Sequence, residues 1–388
     1  WLKLNTHAFC TCVFLPRSVR RKPHVPSYYY WTSLERPLGV PSMFFSRAEP
    51  EIAPSPQGQA ETRYVFFIRH GESRWNAAQS AGVAGLLDMF CEGDHGLSET
   101  GRVQAEELNK RCEEARKLME ATSKSRRNSW SSMWLERLIQ AETILSSPYV
   151  RAIETAVIGL QEILSKDRKV IVTQDAREMR SSVLAVDCSS SAVGDQIKTM
   201  VSEDLKWIYE QAGQSETAKK LTAGLGEQLD VSDVQKEWCP LLAESVVDLD
   251  VRHQALIKRI RSCSEGSSCI IVGHSYYFKR FFTEYLSQCV HDQVPDVAAS
   301  LKEHVVPQCA VVGMRMEFGE SGSPLIKEVA PLLGTNLKPP SVEGASYSLA
   351  ACTTRRCSSC SGCYRSVEGG LYDVFAGSEP ALAPAKTA

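Results

Sequence analysis

The segment FFIRHGESRWN, Phe66 to Asn76, places a histidine where it can attack an electrophile. Ahead of it, Tyr64–Ile68 (YVFFI) is an apolar, aromatic-rich run that suits a buried central strand. His70 follows almost at once, so its ring is expected at the carboxyl end of that strand, where open α/β sheets bind ligands. Arg69 adds a planar fork of donors that matches phosphate oxygens, and Gly71 lets the backbone come close to a ligand. A neutral imidazole nitrogen among such donors is the nucleophile that attack on a phosphoryl centre needs.

Four further segments carry the same theme in chain order: DHGLSETGRVQA (Asp94 to Ala105), SSPYVRAIETA (Ser146 to Ala156), WCPLLAESVVDLDVRHQALIKRI (Trp238 to Ile260) and IIVGHSYYFKRFF (Ile270 to Phe282). Together with RHG they resemble the histidine phosphatase superfamily, which includes cofactor-dependent phosphoglycerate mutases and fructose-2,6-bisphosphate phosphatases. The resemblance spans roughly residues 63–320 and lies in the ordered set. It implies a phosphohistidine intermediate on His70. Arg69, Gly71, Arg151 and His274 would hold the phosphoryl group, with His274 as the cationic partner. Ser147 is expected to cap the helix that begins at Pro148, which puts Arg151 in a first turn whose dipole favours an anion.

The family's proton donor is an acidic residue in a loop after the strand that follows the Arg-bearing helix. Glu178 matches that position, with Asp175 nearby. The acidic-phosphatase branch has an Asp directly after the second histidine; here that position is Ser275, which favours Glu178. The stretch WCPLLAESVVDLDVRHQALIKRI (Trp238 to Ile260) is similar to a family segment with a tryptophan, Glu-Ser and an arginine, and is expected to pack over the site. Glu72 and Arg74 read as a structural ion pair.

Mutases of the family carry Tyr-Gly and an arginine pair after the Glu, and F-x-G-W-x-D after RHG. Here Glu178 is followed by Met179, Arg180, Ser181 and Ser182, and residues 79–93 read QSAGVAGLLDMFCEG. Phosphomonoester hydrolysis is therefore favoured over mutase-type transfer, with a catalytically inactive scaffold as a third reading. The expected substrate is a phosphorylated small molecule or a phosphoprotein. Neither a metal nor a cofactor is called for, because the site's own side chains supply positive charge.

These residues need a scaffold. Strand-like runs at Thr143–Leu145, Val170–Val172, Cys269–Val272 and Ala310–Met316 alternate with helical patterns after Ser98 and Pro148. Alternation of this kind implies an α/β sandwich with a mostly parallel sheet, and the resemblance sharpens it to a phosphoglycerate mutase-like, three-layer α/β/α sandwich. The domain is expected over 63–335. Residues 122–133 (TSKSRRNSWSSM) read as an exposed excursion, and residues 181–240 as an insertion that is either a lid or a structural elaboration. Residues 1–62 are expected to be disordered, linker or targeting sequence. Their first 42 residues read either as an organelle transit peptide or as sequence upstream of a start at Met43; otherwise a cytoplasmic location is expected. Residues 336–388 are expected to form a disordered tail, in which Cys352, Cys357, Cys360 and Cys363 sit too close together for two separated zinc knuckles.

The chain holds 44 Lys and Arg against 46 Asp and Glu, which gives no argument for a nucleic-acid partner. No run nears the roughly 18 apolar residues that a membrane-crossing helix needs. The 14 cysteines are mostly scattered and read as reduced thiols.

Overall fold

ETRYVFFIR (Glu61–Arg69) forms strand β1, in which every residue from Arg63 to Ile68 is buried. Such a strand has to be covered on both faces. The computed structural model describes residues 60–82, 89, 93–121, 129–164, 168–181, 185–319 and 323–338. Within them β1 is joined by β2 (Thr143–Ser146), β3 (Val170–Val172), β4 (Leu229–Asp230), β5 (Ser268–Gly273), β6 (Val311–Phe318) and β7 (Pro324–Leu332). The sheet order is β4-β3-β2-β5-β1-β6-β7. The first five of these run parallel, and β6 and β7 extend the sheet through antiparallel pairings.

Strand alternation divides β1 between two cores. Tyr64, Phe66 and Ile68 face one, Val65 and Phe67 the other. Helix α1 (Arg74–Ala81) follows β1 directly. On the first face lie α2 (Glu99–Ala121), α3 (Trp130–Ile139), α4 (Val150–Gly159), α5 (Asp195–Gln211) and α6 (Ser215–Ala223), with Trp134 edge-on to Tyr64 and Phe66. The second face is covered by α7 (Val246–Ser262), α8 (Ser275–Tyr285) and α9 (Pro295–Glu303). Here the Phe67 ring centroid lies 5.1, 5.1 and 5.2 Å from those of Phe278, Phe281 and Phe282. The architecture is a three-layer α/β/α sandwich with a mostly parallel central sheet.

Two boundaries differ from the sequence reading. The helix after Pro148 stops at Gly159, where an added Cβ would lie 2.8 Å from Leu108 Cδ2. That glycine lets α4 approach α2 closely and weakens the helix. The described part of the predicted 181–240 insertion completes one layer: Ile197, Val201, Leu205 and Ile208 of α5 enter the first core and β4 hydrogen-bonds to the edge of β3. Residues 129–133, read as part of an excursion, lead into and begin α3, whose cap is Ser129. Residues 1–59, 122–128, 182–184 and the Cys/Ser-rich segment with Cys352, Cys357, Cys360 and Cys363 lie outside the described residues. Among the described residues no helix is long and apolar enough to cross a membrane.

Candidate active site

Parallel register brings the two histidines of this site together. Arg69 of β1 is the partner of Gly273 of β5, so the next residue of each strand, His70 and His274, emerge side by side. The His70 backbone N–H donates to Gly273 O at 3.0 Å, and the two buried rings stand 4.9 Å apart at 58°. On the other side of β5, Ser146 of β2 pairs with Val272, and the Ser147 N–H continues the ladder to Val272 O at 2.9 Å. From there the chain enters α4, which carries Arg151. The next strand, β3, leads through a 3-10 turn at Gln174–Ala176 to Glu178. Four adjacent parallel strands thus deliver Glu178, Arg151, His274 and His70 to one end of the sheet.

His70 Nδ1 lies 2.6 Å from Gly71 O. A carbonyl oxygen only accepts, so Nδ1 holds the proton and Nε2 keeps its lone pair. Burial pushes the ring well below its ordinary pKa, and the guanidinium groups of Arg151 and Arg69 push in the same direction. The ring is neutral across the physiological range. His274 Nε2 lies 2.7 Å from Ser147 Oγ, and its buried Nδ1 has no partner among the described residues. Burial, then Arg151 and His70, also hold His274 well below its ordinary pKa. The resemblance implies a cationic His274, whereas burial and these cations hold the ring towards its neutral form.

Arg151 is buried, donates to Asp187 O at 2.8 Å, and lies over the Tyr149 ring at 4.7 Å. Ser147 does not cap its helix. The N-cap is Tyr149, and the first-turn Val150 N–H donates to Asp94 Oδ1 at 2.9 Å. The Ser147 hydroxyl turns to His274 instead. Arg69 donates to Val306 O at 2.8 Å, and its buried Nε has no hydrogen-bond partner among the described residues.

Gly71 also differs from expectation. Its N–H is already given to Thr155 Oγ1 at 3.0 Å, and an added Cβ would lie 2.8 Å from Gly101 O. It serves close packing of the strand end on the start of α2, and its amide is not free for a phosphate. Arg74 pairs with Asp204 at 2.8 Å, not with Glu72, which accepts from Ser98 Oγ at 2.6 Å. Asp175 is held by Arg259 at 2.7 Å.

Glu178 is buried at the N-terminus of α8. Its Oε1 accepts from the backbone N–H groups of Met179 and Tyr277, both at 2.9 Å, and Oε2 from Tyr276 N–H at 3.3 Å. Burial raises its pKa, opposed by these donors and by Arg151. The carboxyl group therefore keeps a proton to higher pH than an ordinary glutamate.

The loop that carries Glu178 is gripped from outside. Glu244 accepts from the Arg177 guanidinium, from Arg252 Nε at 3.0 Å and NH2 at 3.1 Å, and from Arg180 N–H at 3.2 Å. Its own N–H donates to Arg180 O at 2.8 Å, and Arg252 donates to Arg177 O at 2.7 Å. Residues on both sides of Glu178 are fixed in this way. Trp238 packs against Tyr149 at 5.2 Å, and Tyr149 stands edge-on to His274 at 5.4 Å. The sequence pointed to Trp238, Glu244 and Arg252 only as packing. Nothing in it signalled Ser147 beside His274 or Asp187 beside Arg151. Among the described residues no three His, Cys, Asp or Glu side chains group as a metal site.

No family model matches the chain, and no curated protein does. Solved structures similar to it include mycobacterial hydrolase 1, at 16% identity over 71% of this chain and 100% of that one, with a TM-score of 0.35. Phosphoglycerate mutase from Bacillus anthracis is similar at 15% identity over 71% and 94%, TM-score 0.36. A phosphoserine phosphatase from Entamoeba histolytica in complex with 3-phosphoglyceric acid is similar at 14% over 70% and 98%, TM-score 0.33.

Proposed function

We propose that this chain is a histidine phosphatase-type enzyme that hydrolyses phosphomonoesters through a phosphohistidine on His70. The observation that carries this reading is the paired rings of His70 and His274, flanked by Arg69 and Arg151, beside a buried carboxyl group that keeps its proton to higher pH than an ordinary glutamate.

In the first half-reaction the lone pair of His70 Nε2 attacks phosphorus in line with the ester oxygen, and the P–O bond breaks. Glu178 gives its proton to the departing alkoxide. Arg69 and Arg151 supply donors to the equatorial oxygens, and His274 gains a proton or shares one as negative charge enters beside it. In the second half-reaction the Glu178 carboxylate takes a proton from water, the water oxygen attacks phosphorus, and the P–N bond breaks. Orthophosphate leaves, His70 is again neutral and Glu178 again protonated. The substrate is a phosphorylated small molecule or phosphoprotein. Hydrolysis is preferred to mutase transfer because Met179, Arg180, Ser181 and Ser182 stand where the mutase features are missing.

The test is release of phosphate from an aryl phosphate in EDTA by wild type, His70→Ala and Glu178→Ala. Turnover that depends on both residues and persists in EDTA is expected. Turnover that survives loss of the His70 ring sinks the mechanism, and phosphoryl exchange between phosphoglycerates without net release restores the mutase.

A further inference from the structure

Away from the sheet end just described, Cys263 caps the carboxyl end of α7 and Cys269 is the second residue of β5. Cys269 is buried at 1% exposure, whereas Cys263 is partly exposed. Across the sheet Cys269 pairs with Thr143 of β2, and Cys263 Sγ lies 3.8 Å from Thr143 Oγ1 and 3.5 Å from Arg259 O. The Cys263 sulfur therefore rests on the pair of strands just where Cys269 rises from them. Arg63 donates to Cys263 O at 2.7 Å and to Arg261 O at 2.9 Å, which sets a cation beside the same turn.

We infer that Cys263 and Cys269 form a dithiol that peroxides oxidise to an intramolecular disulfide. The Cys263 thiolate attacks one peroxide oxygen, the O–O bond breaks, and hydroxide or alkoxide leaves with the electron pair, giving a sulfenic acid. The Cys269 thiol then attacks that sulfur, its proton goes with the departing hydroxyl as water, and the S–S bond forms. The neighbouring Cys269 thiol lowers the Cys263 thiol to about 6, with Thr143 and Arg63 adding to the effect against burial. Cys269 is held in its neutral form, as suits the resolving partner. The new bond ties the end of α7, the helix that carries Arg252, to β5, the strand that ends at His274.

The test exposes the reduced full chain to hydrogen peroxide, blocks remaining thiols by alkylation and maps peptides without reductant. A Cys263–Cys269 cross-link that dithiothreitol reverses is expected, and in Cys269→Ala a dimedone adduct at Cys263. Because that variant removes a buried group, wild-type Cys263 is also alkylated across a pH series, with its rate expected to reach half-maximum near pH 6. Recovery of both wild-type thiols unmodified, a cross-link of either to a different cysteine, or an alkylation rate still rising beyond pH 8 overturns the inference.

Discussion

Two buried clusters of charge lie within the same end of the molecule and are built on opposite plans. Around Glu244 the anion is part of the chain: both carboxylate oxygens accept, from Arg177, Arg252 and the Arg180 amide. Around His70 the cations Arg69 and Arg151 converge on two neutral rings, and Arg69 Nε and His274 Nδ1 are buried without hydrogen-bond partners among the described residues. Buried polar atoms of this kind are costly unless they are paired. The first cluster carries its own anion and holds a loop in place. On the proposed reading the second lacks its anion, and an incoming phosphate supplies it.

The sharpest way to break this contrast is His70→Ala, which removes the proposed nucleophile and leaves the cations. Hydrolysis of an aryl phosphate is expected to fall by on the order of 10⁴-fold or more, and acid-labile phosphate on the protein to vanish; a loss within tenfold makes the pocket a binding site only. Glu178→Gln, which keeps the shape, should lower kcat by about 10²–10⁴-fold. Wild-type kcat/KM should fall as pH rises through the upward-shifted carboxyl of Glu178, because the acid form is the working one in the first step. The glutamine variant should lose that descending limb, and retention of it would assign the proton elsewhere.

The clamp should fail differently. Glu244→Ala leaves Arg177 and Arg252 as uncompensated buried cations and should cost about 3–5 kcal/mol in urea unfolding. Arg151→Met in the pocket should cost far less stability while weakening orthophosphate or vanadate binding by roughly 1.5–3 kcal/mol, read by calorimetry. Equal stability losses in the two variants would erase the distinction. A smaller effect concerns Asp94, whose carboxyl burial raises to about 6. A carboxyl with a raised folded-state pKa gives stability that is full at low pH and lost as pH climbs through about 6. Asp94→Asn should therefore gain about 3 kcal/mol relative to wild type between pH 4 and pH 8, in paired denaturation curves.

Much of this was legible in the sequence where a short run carries its own geometry. YVFFI followed by RHG and IIVG followed by His-Ser each state strand, end and ring within a few residues, and two parallel strands with such ends bring their rings together if they are neighbours. The same holds for the helix patterns around Leu108 and Ile153. What escaped depends on partners far away in the chain. Ser147 reads as a cap until the backbone shows the helix starting after Tyr149, with its free amide already answered by Asp94. Gly71 reads as a ligand contact until Gly101 is seen occupying the space. Glu178 was picked by its place after a strand, but the α8 amides that hold it and the Glu244 grip around it are matters of packing that no local pattern encodes.

The meeting of Gly71 and Gly101 reaches further than its size suggests. An added Cβ at 101 would fall 2.0 Å from the carbonyl oxygen of Glu72, so each residue keys the other's backbone to a tolerance smaller than one methyl group. The imidazole stands on that joint. Its aim is thus set by a mechanical fit between two turns, and a single carbon inserted there would tilt the pedestal while leaving every reacting atom in the chain.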